Sequence, residues 1–164
     1  MEDALYIRTA VPTDLEQCAA IEAACFPPEQ AASREDLRRR LAAYPEHILV
    51  GVLDGKLVGY IMGPVIRQPY LTDEMFADTS CHDPCGDYQA VFSLAVLPDF
   101  QRRGFGRQLV LSMVEQAKRE GRRTVTLTCR DFKVGYYASL GFHDHGVADS
   151  VHGGVSWHNM VREL

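Results

Sequence analysis

The hexapeptide Gln101-Arg102-Arg103-Gly104-Phe105-Gly106 constrains this chain more than any other stretch. It follows an apolar run, Ala90 to Val96. It precedes Leu109, Val110, Met113, Val114 and Ala117, whose three- and four-residue spacing predicts an amphipathic helix. Two glycines let main-chain N–H groups turn towards a ligand, the helix N-terminus adds its positive end, and the arginines add charge. The result is an anion cradle that suits a pyrophosphate. A dinucleotide fingerprint needs a third glycine where Leu109 stands, and a Walker loop needs Gly-Lys-Ser/Thr, which is missing. From the hexapeptide alone, the alternative is a solvated arginine-rich turn.

The elements around it follow from pattern and punctuation. Leu5 to Thr9 reads as a strand. Thr13 and Glu16 read as a capping box for a helix over 14–24, ended by Phe26-Pro27-Pro28, and Ser33 with Asp36 starts a second helix that stops at Pro45. His47 to Leu53 and Leu57 to Met62 form a hairpin through Asp54-Gly55. Residues 67–89 lack periodicity and read as an irregular insertion, with a helical turn or two within Leu71 to Ala77. After the Ala90 to Val96 strand and the amphipathic helix come a strand from Thr124 to Cys129, a short helix from Phe132 to Leu140 closed by Gly141, and strands from Phe142 to Asp149 and Val155 to Glu163. The expected order is β-α-α-β-β-β-α-β-α-β-β.

At 164 residues, 46% apolar and 24% charged, the chain is sized for one domain over 1–164. No apolar run reaches the ~18 residues of a membrane span, and Met1-Glu2-Asp3-Ala4 is acidic where a secretory signal is basic. A cytoplasmic protein with no membrane partner is expected. Five cysteines at irregular spacing read as reduced thiols. The net charge of −5 argues against nucleic acid and favours a cationic small substrate.

Leu94-Ala95-Val96, Leu97-Pro98, the hexapeptide and Tyr136-Tyr137-Ala138-Ser139-Leu140-Gly141-Phe142 together resemble the GNAT acetyltransferases. Within that superfamily the chain is similar to the arylalkylamine (serotonin) N-acetyltransferase branch, through Cys25 to Glu29, Pro45-Glu46-His47, Leu71 to Glu74 and the Val151 to Leu164 tail. The resemblance implies an α/β (α+β) GNAT fold with about four helices. Its mixed, mostly antiparallel sheet splays between the fourth and fifth strands. It further implies an N-acetyltransferase moving acetyl from acetyl-CoA to a primary amine, an arylalkylamine or a polyamine, by direct attack in a ternary complex. Leu94, Ala95 and Val96 then offer main-chain groups to the pantetheine, with the Leu94 amide as oxyanion donor. Gln101, Arg102, Arg103, Gly104, Phe105, Gly106 and Arg107 wrap the pyrophosphate. Tyr137 protonates the departing thiolate, with Tyr136 as its competitor. No metal is expected, and a monomer or homodimer is.

The chain departs from the vertebrate-type members, whose two histidines fall at Ala90 and Phe92 here. An ammonium must still lose a proton before it attacks, and Glu29 is the candidate base or ammonium ligand, placed as in the insect-type members. Ser93 can order a relay water, while His47, His143 and His145 are weaker bases. Asp73, Glu74, Asp78, Asp83 and Asp87, with Tyr70, Phe76 and Tyr88, are expected to rim the acceptor pocket and attract an amine. Cys81-His82-Asp83-Pro84-Cys85 has too few well-spaced ligands for zinc. The remaining alternatives are acetylation of a protein N-terminus or lysine, and a non-catalytic acyl-CoA-binding module.

Overall fold

The computed structural model describes residues 5–150 and 152–164. Helices α1 (Leu15–Cys25), α2 (Arg34–Ala43), α3 (Phe105–Arg119) and α4 (Val134–Ser139) accompany nine strands: β1 (Tyr6–Thr9), β2 (Ile48–Leu53), β3 (Lys56–Met62), β4 (Val65–Ile66), β5 (Tyr88–Val91), β6 (Ser93–Val96), β7 (Thr124–Cys129), β8 (His143–Val147) and β9 (His158–Glu163). The strands form two sheets, in the orders β1-β2-β3-β6 and β4-β5-β7-β9-β8. Among the described residues, only β5 and β7 pair in parallel. This is the α+β architecture that the sequence implied.

The sequence led us to expect one strand from Ala90 to Val96. The structure divides it at Phe92, and chain chemistry explains the division. Ala90 N–H donates to Pro64 O at 2.9 Å and Phe92 N–H to Met62 O at 2.7 Å. Proline has no N–H with which to continue the ladder, so β3 ends at Met62. A Cβ on Gly63 would lie 1.9 Å from Ala90 O, so only glycine permits this approach. β5 then pairs with β7 as far as Val91↔Leu127, while β6 follows β3 and leaves Thr128 and Cys129 to β9. The two sheets part there, which is the expected splay.

Both faces of the first sheet are covered, which explains why β2 and β3 read as nearly unbroken apolar runs. Leu49, Val58 and Ile61 face Leu109, Val110, Met113 and Val114 of α3. Ile48, Val50, Tyr60 and Met62 face Cys18 and Ile21 of α1 and Leu37 and Leu41 of α2. A fully buried side chain such as Leu109 contributes about 2 kcal/mol. The β2–β3 turn holds Asp54 at φ 50° and Gly55 at φ 80°, as the Asp-Gly pair predicts.

Other expectations need local correction. No side chain caps α1, so the Thr13–Glu16 box does not form. Pro12 starts a 3₁₀ turn over Pro12–Asp14 that leads straight into the helix. Asp14 accepts Val11 N–H at 2.8 Å and pairs with Arg8 at 2.8 Å, while Glu16 pairs with Arg34. Ser33 does cap α2, accepting Asp36 N–H at 3.0 Å. β4 escaped sequence reading because two residues carry no alternation. Strands β8 and β9 are shorter than expected; Gly146, at positive φ, lies in the register shift between Asp144 and Val147, and Gly153 and Gly154 take positive φ ahead of β9. The insertion holds 3₁₀ turns at Asp73–Ala77 and Thr79–Cys81. Among the described residues no helix is long and apolar enough to cross a membrane. All five cysteines are free thiols.

Candidate functional site

A cavity of about 830 Å³ opens where β6 and β7 part. One half runs to the N-terminus of α3. Arg102 and Gly104 take positive φ of 64° and 80°, which turns the loop over the helix end. The first hydrogen bond of the helix runs from Gln108 N–H to Gly104 O at 3.1 Å, so the amides of Phe105, Gly106 and Arg107 precede the helical ladder. Gln101 fixes the loop by donating to Val96 O at 2.9 Å. A Cβ on Gly106 would sit 2.9 Å from Tyr136 Oη, so glycine keeps this cradle open. Arg102 and Arg107 line the cavity. Arg103 lies outside the lining, its guanidinium carbon 5.3 Å from the Phe100 ring centre. Across the cleft, Arg130 and Lys133 add positive charge that the sequence reading had not singled out.

The register of β6 decides which amides face the split. Leu97 N–H donates to Val58 O at 2.8 Å, and pairing alternates back from there through Ala95 and Tyr60. The main-chain groups of Leu94 and Val96 therefore point away from β3, towards the cavity, while those of Ala95 are turned to β3. Val96 O already accepts the Cys25 thiol at 3.2 Å as well as Gln101. Burial and the neighbouring Glu22 push the Cys25 thiol pKa up, which suits a structural thiol.

Tyr136 and Tyr137 both line the cleft, with ring centres 5.1 Å apart. Tyr137 is the buried member, at 9% exposure against 38% for Tyr136. Burial pushes the Tyr137 phenol well above its ordinary pKa, with smaller contributions from Tyr136 and Cys129.

The other half of the cavity is made by side chains. Glu22 of α1 is 2% exposed, and its carboxylate accepts from Tyr60 Oη, from Ser93 Oγ at 2.9 Å and from Ala32 N–H at 2.9 Å. Burial and Glu22 raise the Tyr60 pKa, keeping that phenol a donor. Glu29 lies in the exposed turn of residues 28–30 and is not part of the lining. The sequence placed a carboxylate after Pro28; the fold presents one seven residues earlier, on the inner face of α1. A glutamate flanked by Ile21 and the cysteines of that face was the available signal.

Phe92 and Phe76 stack at 4.4 Å, and His152 stacks on Phe76 at 5.6 Å with Trp157 beyond it. Of the acidic segment, Asp73 and Phe76 reach the cavity, whereas Glu74, Asp78, Asp83, Asp87, Tyr70 and Tyr88 do not line it. Arg67 engages Asp83, and Ser80 engages Asp78. Ala90 is fully buried. His47 is buried beside Gln89 at 2.9 Å, and His145 meets Tyr70 at 2.9 Å, both outside the lining. His143 is exposed on β8. His82 accepts Val65 N–H at 3.0 Å, and burial lowers its pKa. No cluster of three or more metal-ligating groups occurs among the described residues.

The model of the acetyltransferase (GNAT) family matches residues 15–142. An uncharacterised N-acetyltransferase of Bacillus subtilis (strain 168), YkwB, is 27% identical over 124 residues, covering 69% of this chain and 55% of that protein. The ribosomal protein bS18 alanine N-acetyltransferase of Salmonella typhimurium is 38% identical over 61 residues, 35% of this chain and 41% of that one. The chain thus spans about half the length of the curated relatives it matches. Among solved structures, the GphF GNAT-like decarboxylase in complex with isobutyryl-CoA superimposes with a TM-score of 0.82 at 24% identity, covering 96% of this chain and 98% of that one. The PaiA N-acetyltransferase of Thermoplasma acidophilum, in complex with coenzyme A, gives 0.72 at 14%, covering 98% and 99%. At these identities the structural likeness is one of fold.

Proposed function

The chain belongs to the acetyltransferase (GNAT) family, and on that premise we propose that it transfers acetyl from acetyl-CoA to the primary amine of a small molecule by direct attack. The observation that carries this reading is the continuity of one cavity from the α3 cradle, past the split, to the buried Glu22 carboxylate. The cradle fits the CoA pyrophosphate: its free amides belong to Phe105, Gly106 and Arg107, and Arg102 and Arg107 supply charge. When bound, acetyl-CoA supplies the activated acyl group.

The residues then divide the work. The Leu94 N–H faces the split, where it can take the negative charge that develops on the carbonyl oxygen, a contribution of about 3 kcal/mol. Glu22 replaces Glu29 as the acceptor-side carboxylate. It holds the ammonium and receives its proton, with Ser93 Oγ linking it to the strand end. As the new C–N bond forms and the C–S bond breaks, Tyr137 Oη gives a proton to the departing sulfur, and the second proton shed by the nitrogen returns Tyr137 to its neutral form. Its raised pKa keeps that proton in place at neutral pH. The Phe76, Phe92, His152 and Trp157 rings offer apolar surface to an arylalkyl body.

A protein N-terminus is the second reading, favoured by the match to the bS18 alanine N-acetyltransferase. The insertion favours small acceptors, because Asp73 and Phe76 line the acceptor half together with Ser150 and His152 and narrow it. CoA release is to be measured with phenethylamine, tryptamine, spermidine and peptides bearing a free N-terminus or lysine. Turnover of the small amines is expected. Turnover confined to peptides would transfer the assignment to proteins, and acetyl-CoA binding without turnover of any acceptor would reduce the chain to a binding module.

A further inference from the structure

The acceptor half of the cavity holds a second buried charge, of opposite sign. Arg40 lines the cavity at 3% exposure. A guanidinium has five N–H donors. Here Nη2 donates to Phe76 O at 2.9 Å, Nη1 lies 3.8 Å from the Met62 sulfur, and Nε has no partner among the described residues. The guanidinium carbon stands 5.2 Å from the Phe92 ring centre. The carboxylates on its own helix are directed elsewhere: Glu35 pairs with Arg38 and Arg39, and Asp36 with Arg39 at 3.8 Å. Glu22 accepts from Tyr60, Ser93 and Ala32, and no ion pair joins it to Arg40 among the described residues.

Burying a cation without a counter-charge is costly, and proteins ordinarily pair it or fix it with several hydrogen bonds. One carbonyl and a sulfur do neither for Arg40. Tying α2 to the insertion needs the Phe76 contact alone and leaves the remaining donors unexplained. The planar fork of a guanidinium matches a carboxylate.

We propose that Arg40 binds a carboxylate of the acceptor, so that the substrate is an amino acid or a related amine carrying a carboxylate. This rests on the acetyltransferase reading above and narrows it. Glu22 is anchored on Ser93, and Arg40 stands over Phe92, so the two opposite charges flank adjacent residues at the point where the sheets part. A zwitterion placed there sets its ammonium at Glu22 and its carboxylate at Arg40. The arrangement also explains why two buried, opposite charges in one cavity do not pair with each other.

The test uses pairs that differ by the carboxylate alone: glycine and methylamine, alanine and ethylamine, phenylalanine and phenethylamine, tryptophan and tryptamine. With acetyl-CoA, the amino acid of at least one pair is expected to exceed its amine in kcat/KM by about tenfold or more. Arg40→Met should bring that ratio close to one. Arg40→Lys, which keeps the charge but not the fork, should lower it part of the way and serves if the Met variant does not fold. Equal or inverted ratios in every pair, or a preference that survives Arg40→Met, would overturn the proposal. Succinyl-CoA with the simple amines separates the other source of a carboxylate: an Arg40-dependent preference for succinyl transfer would place the carboxylate on the acyl group and reject the acceptor assignment. If no amine of either kind is acetylated, the acetyltransferase reading fails first. Calorimetry of N-acetylphenylalanine against N-acetylphenethylamine on CoA-saturated protein then decides separately. Arg40-dependent selection of the acid sustains the inference, and its absence refutes it.

Discussion

On the α3 side of the cavity, the amides ahead of the helical ladder belong to one unbroken stretch, 105–107, with the Arg102, Arg107, Arg130 and Lys133 side chains adding charge around it. On the Glu22 side the lining consists of side chains gathered from α1, α2 and the insertion, with Ser150, His152 and Trp157. The first half depends on backbone geometry, so glycines at Gly104 and Gly106 and the start of a helix suffice to build it. The second half depends on burial. Glu22 and Arg40 come to line the cavity because Cys18, Ile21, Leu37 and Leu41 carry α1 and α2 onto the outer face of the first sheet. A backbone cradle tolerates side-chain drift and binds one invariant group. A side-chain pocket can change its substrate by single substitutions.

The largest effect should come where the halves meet. Tyr137→Phe removes the proposed proton donor without changing the shape of the ring. We expect kcat to fall about a hundredfold, equivalent to ~2.7 kcal/mol of barrier, with acetyl-CoA affinity retained. Stopped-flow turnover with parallel calorimetry checks both. An unchanged kcat would place the acid elsewhere, with Tyr136 next in line.

Gly106→Ala sharpens the comparison on the backbone side. Its new Cβ meets Tyr136 Oη at 2.9 Å, and Tyr136 is exposed enough to give way. The KM for acetyl-CoA should rise by about fivefold while the KM for the acceptor stays put, since the lesion costs about 1 kcal/mol at a partly yielding contact. A rise in the acceptor KM instead would mean that the halves are not separate.

The pH profile offers a gentler probe. Burial raises the Tyr137 pKa, so its neutral, proton-donating form persists above the ordinary phenol value near 10. The kcat profile should show no alkaline fall from this group between about pH 7 and 10. A descending limb in that range that vanishes in Tyr137→Phe would contradict the burial argument. The smallest effect is expected from Glu29→Gln: with its side chain outside the cavity, kcat/KM should stay within about twofold, as for surface changes generally.

The same contrast explains what could be read in advance. The α3 loop and Tyr137, which the fold brings to one cavity, could be singled out because each lies in a short contiguous motif with its own punctuation. The hairpin at Asp54-Gly55 and the α3 periodicity were legible for the same reason. Phe92 was not read as a break, because Ala90 to Val96 is evenly apolar and the interruption is imposed by Gly63-Pro64 on another strand. That Glu22 and not Glu29 lines the cavity was not legible, because chain position does not reveal which face of α1 turns inward. Arg40 ends the Arg38-Arg39-Arg40 run, and only packing separates it from its exposed neighbours.

The central claim is that one cavity combines a backbone-built CoA half with a Glu22-centred acceptor half. Its most direct test is steady-state kinetics of Glu22→Gln with both substrates varied. The account predicts that kcat/KM for the amine falls by about tenfold to a hundredfold while the KM for acetyl-CoA stays within about twofold. Equal loss for both substrates in a folded variant, or no loss for the amine, would contradict it.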